Sequence, residues 1–269
     1  MLLTEENFIF RGIRPLSRLG DMAQRLMASD GLLSSGDDGF AVIPPDPWPG
    51  DAAQGRDMIA GVFRFAGQTI AREALSWEPL DASPEWVSAL HGFDWLRNLR
   101  GAGGERARLM ARDMVARWMA QYKKYDALTW RPDIAGTRLK AWISLHDFFC
   151  ASADDDFRKA YFASIRTQAK ALHKALPGKV SGLSLMQAAR GLAVAGLALD
   201  EEEYLEKSFG IILPELHEQV LPDGGHASRN PEAALEFFRC LIDLRAGLNA
   251  ARVEVPEDLQ YAMYRMALA

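Results

Sequence analysis

The segment at residues 183–198 restricts the fold more than any other stretch, because it is apolar on nearly every side of a helix. Alanine and glycine are frequent in it, at Ala188, Ala189, Gly191, Ala193, Ala195 and Gly196. A helix that is apolar on every face is buried on every face, and small residues let neighbouring backbones approach closely. The sequence therefore predicts a central helix that is enclosed by other helices.

Amphipathic helices are predicted on both sides of this segment. The clearest covers residues 104–123, where apolar residues recur at positions i, i+3 and i+4. Other helices are predicted at 14–29, 83–100, 134–149, 153–176, 201–220 (with Pro214 as a kink or restart), 231–248 and 256–268. Amphipathic outer helices that alternate with a buried inner one favour stacked hairpins over a simple bundle. We predict an all-α fold, an incomplete (α/α) toroid of helical hairpins with an irregular N-terminal arm.

The N-terminal part has a different composition. Residues 34–76 are rich in glycine, proline and aspartate, and proline at this density predicts that the segment contains no helix. Short strands are predicted at 62–65 and 68–70. The predicted division is therefore an arm at 1–82, with one helix and short strands, and a helical toroid domain at 83–269.

The last predicted helix carries an apolar stripe of Leu259, Met263 and Met266, and the sequence ends soon after it at Ala269. Such a stripe at a terminus suggests either a homodimer contact or a missing C-terminal neighbour.

Charge and composition exclude several classes of protein. The net charge of −5 argues against a nucleic-acid-binding protein, which normally has a basic excess. The start of the chain lacks a secretion signal, and no run approaches the ~18 uncharged apolar residues of a membrane span. We therefore predict a cytoplasmic chain with no membrane partner, or a periplasmic one if its start was trimmed. Cys150 and Cys240 lie far apart, and neither a metal nor a cofactor motif is present.

The longest polar turn between predicted helices covers residues 221–231. Asn230 is typical of an N-cap, with Pro231 at the first helical position. His226 and Arg229 are then held on a short loop that opens to solvent. Such a loop suits a ligand contact, and it is equally typical of a tight helix–helix connection. His226 would serve as an acid, a base or a hydrogen-bond donor to a sugar; alternatively, its ring would cap the turn. Arg229 would bind a carboxylate or sulfate of a ligand; alternatively, it would form a salt bridge with Asp223 or Glu232.

Several spaced motifs resemble the heparinase II/III family. Residues 130–142, together with 221–226 and the following 229–231, resemble its helical N-terminal domain. Residues 46–50 and 93–100 resemble a bacterial branch of the family, and the similarity runs from about residue 44 to the end. The resemblance implies an (α/α) toroid followed by a β-sandwich domain, with an acidic polysaccharide cleaved between them. No β-sandwich is contained here, so we expect the toroid portion alone or a truncated relative.

The chemistry of that family is β-elimination from a uronic acid. An Asn or His stabilises the carboxylate as an enediolate, and a Tyr or His moves the proton of the adjacent carbon. At the matching positions this sequence has Leu183 and Ser184, and then Ala233. These departures oppose lyase activity and leave open whether the protein is an enzyme.

A carbohydrate groove is predicted in the part of the chain from Trp48 to Trp142, which contains all the tryptophans. In this groove, aromatic residues would stack on sugars, and arginines would attract an acidic polysaccharide or oligosaccharide. Polar residues of the loop at 221–231 would complete it. The expected members are Trp95, Trp130, Trp142, Arg97, Arg100, Arg131, Arg138, Asp223, Arg229 and Asn230. The alternative is that Arg100 and Arg131 are ordinary helix-end or loop residues. The functional hypotheses are this groove, a non-catalytic glycan-binding or protein-interaction module, and a small-molecule enzyme built around His226.

Overall fold

The segment at residues 183–198, which the sequence analysis singled out, forms an inner helix of the fold. The computed structural model describes residues 39–71, 77–78 and 81–269, all within the compact unit Leu33–Ala269. The predicted helix at 14–29 lies outside these residues, and the predicted domain boundary at residue 82 stays a prediction.

Helices dominate the described part of the chain. They are α1 (Ala52–Ile59), α2 (Pro84–Gly92), α3 (Leu96–Ala102), α4 (Gly104–Gln121), α5 (Pro132–Ser144), α6 (His146–Phe149), α7 (Asp155–Ala175), α8 (Gly182–Leu199), α9 (Glu202–Gln219), α10 (Pro231–Ala250) and α11 (Glu257–Leu268). Between α1 and α2 lies one antiparallel hairpin, β1 (Val62–Phe65) with β2 (Gln68–Ala71), close to the predicted strands. The helical hairpins form the incomplete (α/α) toroid that the sequence predicts.

Helix α8 is the centre of the packing. It contacts α5, α7, α9 and α10, and its residues from Leu185 to Ala198 are buried apart from Gln187. By length and composition alone α8 also matches a membrane span, but 72% of that window is buried inside the domain. A buried core helix of a compact domain passes the same test of length and composition.

The proline-rich segment contains a helix, so the prediction of a helix-free stretch at 34–76 is wrong. Its prolines end at Pro49, and Asp51 then accepts hydrogen bonds from the backbone N–H groups of Ala53 and Gln54 at 2.8 and 3.1 Å. This N-cap starts α1. Residues 39–50 are the described part of the predicted arm that precedes α1, and the word arm refers to them from here on. The arm contacts α8 where the N–H of Ala41 donates to the carbonyl of Ala198 at 2.8 Å.

Two predicted helices differ from the structure in where the helix is interrupted. The segment at 83–100 divides into α2 and α3, because Phe93 adopts a left-handed backbone with φ 59°. Its predicted start is confirmed, since the hydroxyl of Ser83 caps α2. Pro214 lies inside the continuous helix α9 and does not restart it.

The terminal stripe packs within the domain. Leu259 and Met263 are buried and Met266 is partly buried; the homodimer contact or C-terminal neighbour stays a prediction. The opposite side of α11 exposes Tyr261, Tyr264 and Leu268.

Candidate functional site

The polar loop between α9 and α10 is closed by its own hydrogen bonds. Asp223 accepts from the N–H of Gly225 at 2.9 Å and pairs with the guanidinium of Arg229 at 2.6 Å. Asn230 accepts from the N–H groups that begin α10, which confirms it as the N-cap. Gly224 has φ +84°, and a Cβ there would lie 2.2 Å from the carbonyl oxygen of Arg265. The salt bridge that was the alternative for Arg229 is therefore present.

His226 lies inside the turn, which corrects the expectation that its ring opens to solvent. It is 4% exposed, and its ring meets Phe237 edge-on with centroids 5.1 Å apart. Its Nδ1 accepts from the backbone N–H of Ser228 at 3.2 Å and lies 2.8 Å from the Ser228 hydroxyl. The remaining proton is then on Nε2, a buried atom with no partner among the described residues. Burial lowers the pKa of His226, so the ring is neutral at pH 7.

Two of the tryptophans predicted for a groove are core residues. Trp95 is 4% exposed and Trp142 is 0% exposed. The indole N–H of Trp95 donates to the carbonyl of Leu90 at 2.8 Å, and Trp142 meets Phe93 edge-on. Their burial corrects the expectation that they line a cleft. Trp130 is partly buried.

Arg138 is also internal. It is 0% exposed, donates to the backbone carbonyls of His91 and Thr129 at 3.1 and 2.9 Å, and lies 4.0 Å above the ring of Trp118. Burial lowers its pKa to about 9. Arg131 is half-exposed, and Asp133 binds it through two hydrogen bonds of 2.7 and 2.9 Å. The structure does not bring these two arginines together into one groove.

Arg97 and Arg100 do come together, on the carboxylate of Asp46 in the arm. They lie one turn apart on α3 and approach Asp46 Oδ2 at 3.3 and 3.5 Å. Lys140 on α5 reaches the other oxygen, Oδ1, at 3.1 Å. Three cations from two helices therefore surround one carboxylate of the arm.

A second carboxylate, Asp243 on α10, extends this arrangement. Arg190 on α8 lies 2.9 Å from Asp243 Oδ2, and Lys140 lies 3.5 Å from the same oxygen. Trp48 of the arm donates its indole N–H to Asp243 Oδ1 at 2.8 Å. We call Asp46, Arg97, Lys140, Arg190 and Asp243 the arm–helix charge cluster.

The cluster is buried, and the pKa shifts of Asp46 and Arg97 favour their charged forms. The side chains of Asp46, Lys140 and Asp243 are 0%, 1% and 2% exposed. Burial alone would raise the pKa of Asp46, but Lys140 and Arg97 outweigh it and lower that pKa. Burial alone would lower the pKa of Arg97, and the Asp94 and Asp46 carboxylates raise it instead. Buried charges persist in proteins when they are paired in this way.

The charged side chains at the exposed edge of the cluster also have partners of opposite charge. Asp94 binds the guanidinium of Arg97 through two hydrogen bonds of 2.6 Å. Arg239 lies 4.8 Å above the ring of Trp48 and pairs with Glu236 at 2.7 Å. Nearby, Arg100, Gly103, Gly104, Glu105, Arg108 and Phe148 line an open depression of about 490 Å³.

Sequence reasoning identified Arg97 and Arg100 as site residues but missed Asp46, Lys140, Arg190 and Asp243. One signal was available for Arg190, which is the single charged residue within the apolar stretch 183–198. A charge in such a helix predicts a buried partner. Nothing local marks Asp243, which is 53 residues from Arg190.

The positions that match the family's catalytic groups offer no acid or base. Leu183 and Ser184 are partly buried in the first turn of α8, and Ala233 is in the first turn of α10. Among the residues that the structure describes, no group of three histidine, cysteine or carboxylate side chains is placed to hold a metal ion.

Comparison with known proteins gives one family and a set of similar folds. A model of the heparinase II/III N-terminus matches residues 67–268. FtsZ-localized protein C of Caulobacter vibrioides (strain NA1000 / CB15N) is 30% identical over 236 residues, which cover 86% of this chain and 40% of that protein. The chain therefore spans less than half the length of this curated relative.

The solved structures agree in fold. Heparinase III matches with a TM-score of 0.65 and 16% identity over 97% of this chain and 45% of that one. The heparan sulfate lyase HepC of Pedobacter heparinus matches with a TM-score of 0.62 and 16% identity over 93% of this chain and 42% of that one. At such identities the likeness shows the helical fold alone.

Proposed function

This chain belongs to the heparinase II/III N-terminus family, and on that premise we propose that it is a non-catalytic helical domain that acts by binding a protein partner. The observation that favours this proposal over a polyanion groove is the pairing of the arginines predicted for that groove. Each is held by groups of the protein itself: Arg97 by Asp94 and Asp46, Arg100 by Asp46 and the Trp48 carbonyl, Arg131 by Asp133, Arg138 by backbone carbonyls and Gln168, and Arg229 by Asp223.

Internal pairing matters because binding a polyanion would require breaking it. An arginine that is already bound to a carboxylate contributes little extra attraction to a ligand, and a buried pair costs several kcal/mol, on the order of 3–5, to separate. The residues at the family's catalytic positions, Leu183, Ser184 and Ala233, also lack groups that could move a proton or stabilise an enediolate.

The curated relative suggests which partner to test. Its name places it with FtsZ, and the matched region covers most of this chain. We propose that this domain binds FtsZ filaments, directly and without glycan cleavage.

Cosedimentation tests the proposal. FtsZ from the organism that encodes this chain is assembled with GTP, and the chain is added at increasing concentration. We expect the chain to pellet with filaments, to saturate, and to stay in the supernatant when GDP replaces GTP. An unrelated helical protein of similar net charge is the control. A chain that stays in the supernatant at every filament concentration would contradict the proposal.

Binding of an acidic polysaccharide is the second candidate, and the depression lined by Arg100 and Arg108 favours it. Arg108 is 38% exposed on its side chain and lies 3.6 Å from Glu105, a looser pairing than the others. Uronate-containing polymers are incubated with the protein, and ultraviolet absorbance reports any unsaturated product. Appearance of that product would overturn the non-catalytic proposal, whereas salt-sensitive binding without product would support this second candidate.

A further inference from the structure

The carboxylate of Asp46 is surrounded by cations of other elements, in the way that a bound anion is surrounded in a binding site. Its side chain is fully buried, and its oxygens face the ammonium of Lys140 and the guanidinium groups of Arg97 and Arg100 at 3.1–3.5 Å. Yet Asp46 belongs to the arm, whereas the cations belong to the helices α3 and α5.

The cations have supports that do not involve Asp46. Arg97 is fixed by the two hydrogen bonds that it donates to Asp94. Arg100 donates to the carbonyl of Trp48 at 2.8 Å, and Lys140 lies 3.5 Å from Asp243. Removal of the Asp46 carboxylate would therefore leave a preformed group of donors with no anion between them.

Formal charge shows the deficit that would result. Arg97, Arg100, Lys140 and Arg190 carry four positive charges, against three negative charges on Asp46, Asp94 and Asp243. Without Asp46 the balance becomes four against two, in an interior where an unpaired charge is costly. Such a site attracts a small anion that can accept several hydrogen bonds.

We propose that Lys140, Arg97 and Arg100 form a carboxylate-binding site that the protein fills with its own Asp46. The ligand class is a small monocarboxylate, because the Asp46 side chain that fills the site is 0% exposed and leaves room for little more than its own carboxylate. The arm is held on both sides of Asp46, by the Ala41–Ala198 hydrogen bond of 2.8 Å and by Gly50, whose Cα is packed so closely that a Cβ would lie 1.8 Å from the Arg97 carbonyl oxygen.

This inference goes beyond the proposed function and does not depend on it. Its consequence is that Lys140 and Arg97, whose side chains are 1% and 11% exposed, are satisfied from within and are closed to the carboxylates of outside ligands. FtsZ binding and self-occupation of the site are measured separately, so either can fail without the other.

Chemical rescue tests the site. Asp46→Ala deletes the carboxylate and leaves space for formate. We expect the variant to melt about 10 °C below the parent. Sodium formate at about ten times its dissociation constant is expected to raise that Tm by about 4 °C more than sodium chloride of equal ionic strength. The parent protein should show no such difference between the two salts.

Two variants make the test specific. Asp223→Ala removes the carboxylate of an exposed pair with Arg229 (55% and 62% exposed side chains) and should show no formate-specific rise. Lys140→Met, added to Asp46→Ala, should abolish the rise. If Asp46→Ala does not fold in chloride, the readout is recovery of helical circular dichroism in formate. Equal effects of formate and chloride in either readout would overturn the proposal.

Discussion

Gly136 on α5 and Gly191 on α8 face each other in direct backbone contact where these two inner helices meet. A Cβ on Gly191 would lie 2.2 Å from the Cα of Gly136, and a Cβ on Gly136 would lie 2.6 Å from the carbonyl oxygen of Gln187. Both distances are to backbone atoms, which cannot rotate away as a side chain does. The packing of α5 on α8 therefore requires glycine at both positions.

We expect Gly191→Ala to destabilise the protein by about 2–3 kcal/mol. The added methyl group would force the two helix backbones apart and disturb the core around them. Equilibrium unfolding in urea, followed by far-ultraviolet circular dichroism, measures the change in the free energy of unfolding.

Gly210→Ala is the matched control for this prediction. Gly210 lies within helix α9, is exposed, and has no atom within 4 Å of a Cβ placed on it. Alanine there should stabilise the helix by about 0.5–1 kcal/mol. If the two alanine variants changed stability by the same amount, the close approach of Gly136 and Gly191 would not explain the result.

We also expect Lys140→Met to destabilise the protein by about 3–5 kcal/mol, because it leaves Asp46 and Asp243 buried with too few cations. The comparison is Arg229→Met, which breaks an exposed ion pair with Asp223 and should cost no more than about 1 kcal/mol. Both changes replace a long cation with methionine, so urea unfolding of the two variants separates burial from the loss of a charge. Equal losses would contradict the importance of the charge cluster.

Much of the fold was predictable because its determinants are local. The apolar stretch that becomes α8 has no solvent-facing side, and Ser83 and Asn230 start their helices through side-chain caps. The charge cluster was not predictable in the same way. Asp46 and Lys140 are 94 residues apart, and no short-range pattern specifies that they meet. Burial of His226, Trp95 and Trp142 likewise depends on how helices pack around them, which helix periodicity alone does not report.

His226→Ala should change stability and leave binding unaltered. The substitution removes the acceptor of the Ser228 N–H and the contact with Phe237, and we expect a loss of about 1–2 kcal/mol. Cosedimentation with FtsZ at a temperature well below the melting transition should match that of the parent protein. Loss of binding by a variant of unchanged stability would instead assign His226 a direct part in the partner site.

His91 makes the stability of the domain sensitive to acid. The ring is 0% exposed; its Nδ1 accepts from the indole N–H of Trp118 at 3.0 Å, so its Nε2 carries the proton and donates to the carbonyl of Trp77 at 3.1 Å. Burial, followed by the charge of Arg138, lowers its pKa to about 4. An unfolded chain binds this proton near its ordinary pKa of about 6.5.

The sign of the effect follows from this depressed pKa. Between pH 6.5 and 4 the unfolded state binds more protons than the folded state, so the contribution of His91 is fully present above about pH 6.5 and is lost as the pH falls. At about 1.36 kcal/mol per pH unit, the loss from pH 7 to pH 5 is about 2 kcal/mol. Urea unfolding at both pH values measures it. In His91→Gln, which cannot titrate, the difference between the two pH values should shrink by that amount, and an unchanged difference would assign the acid sensitivity to other groups.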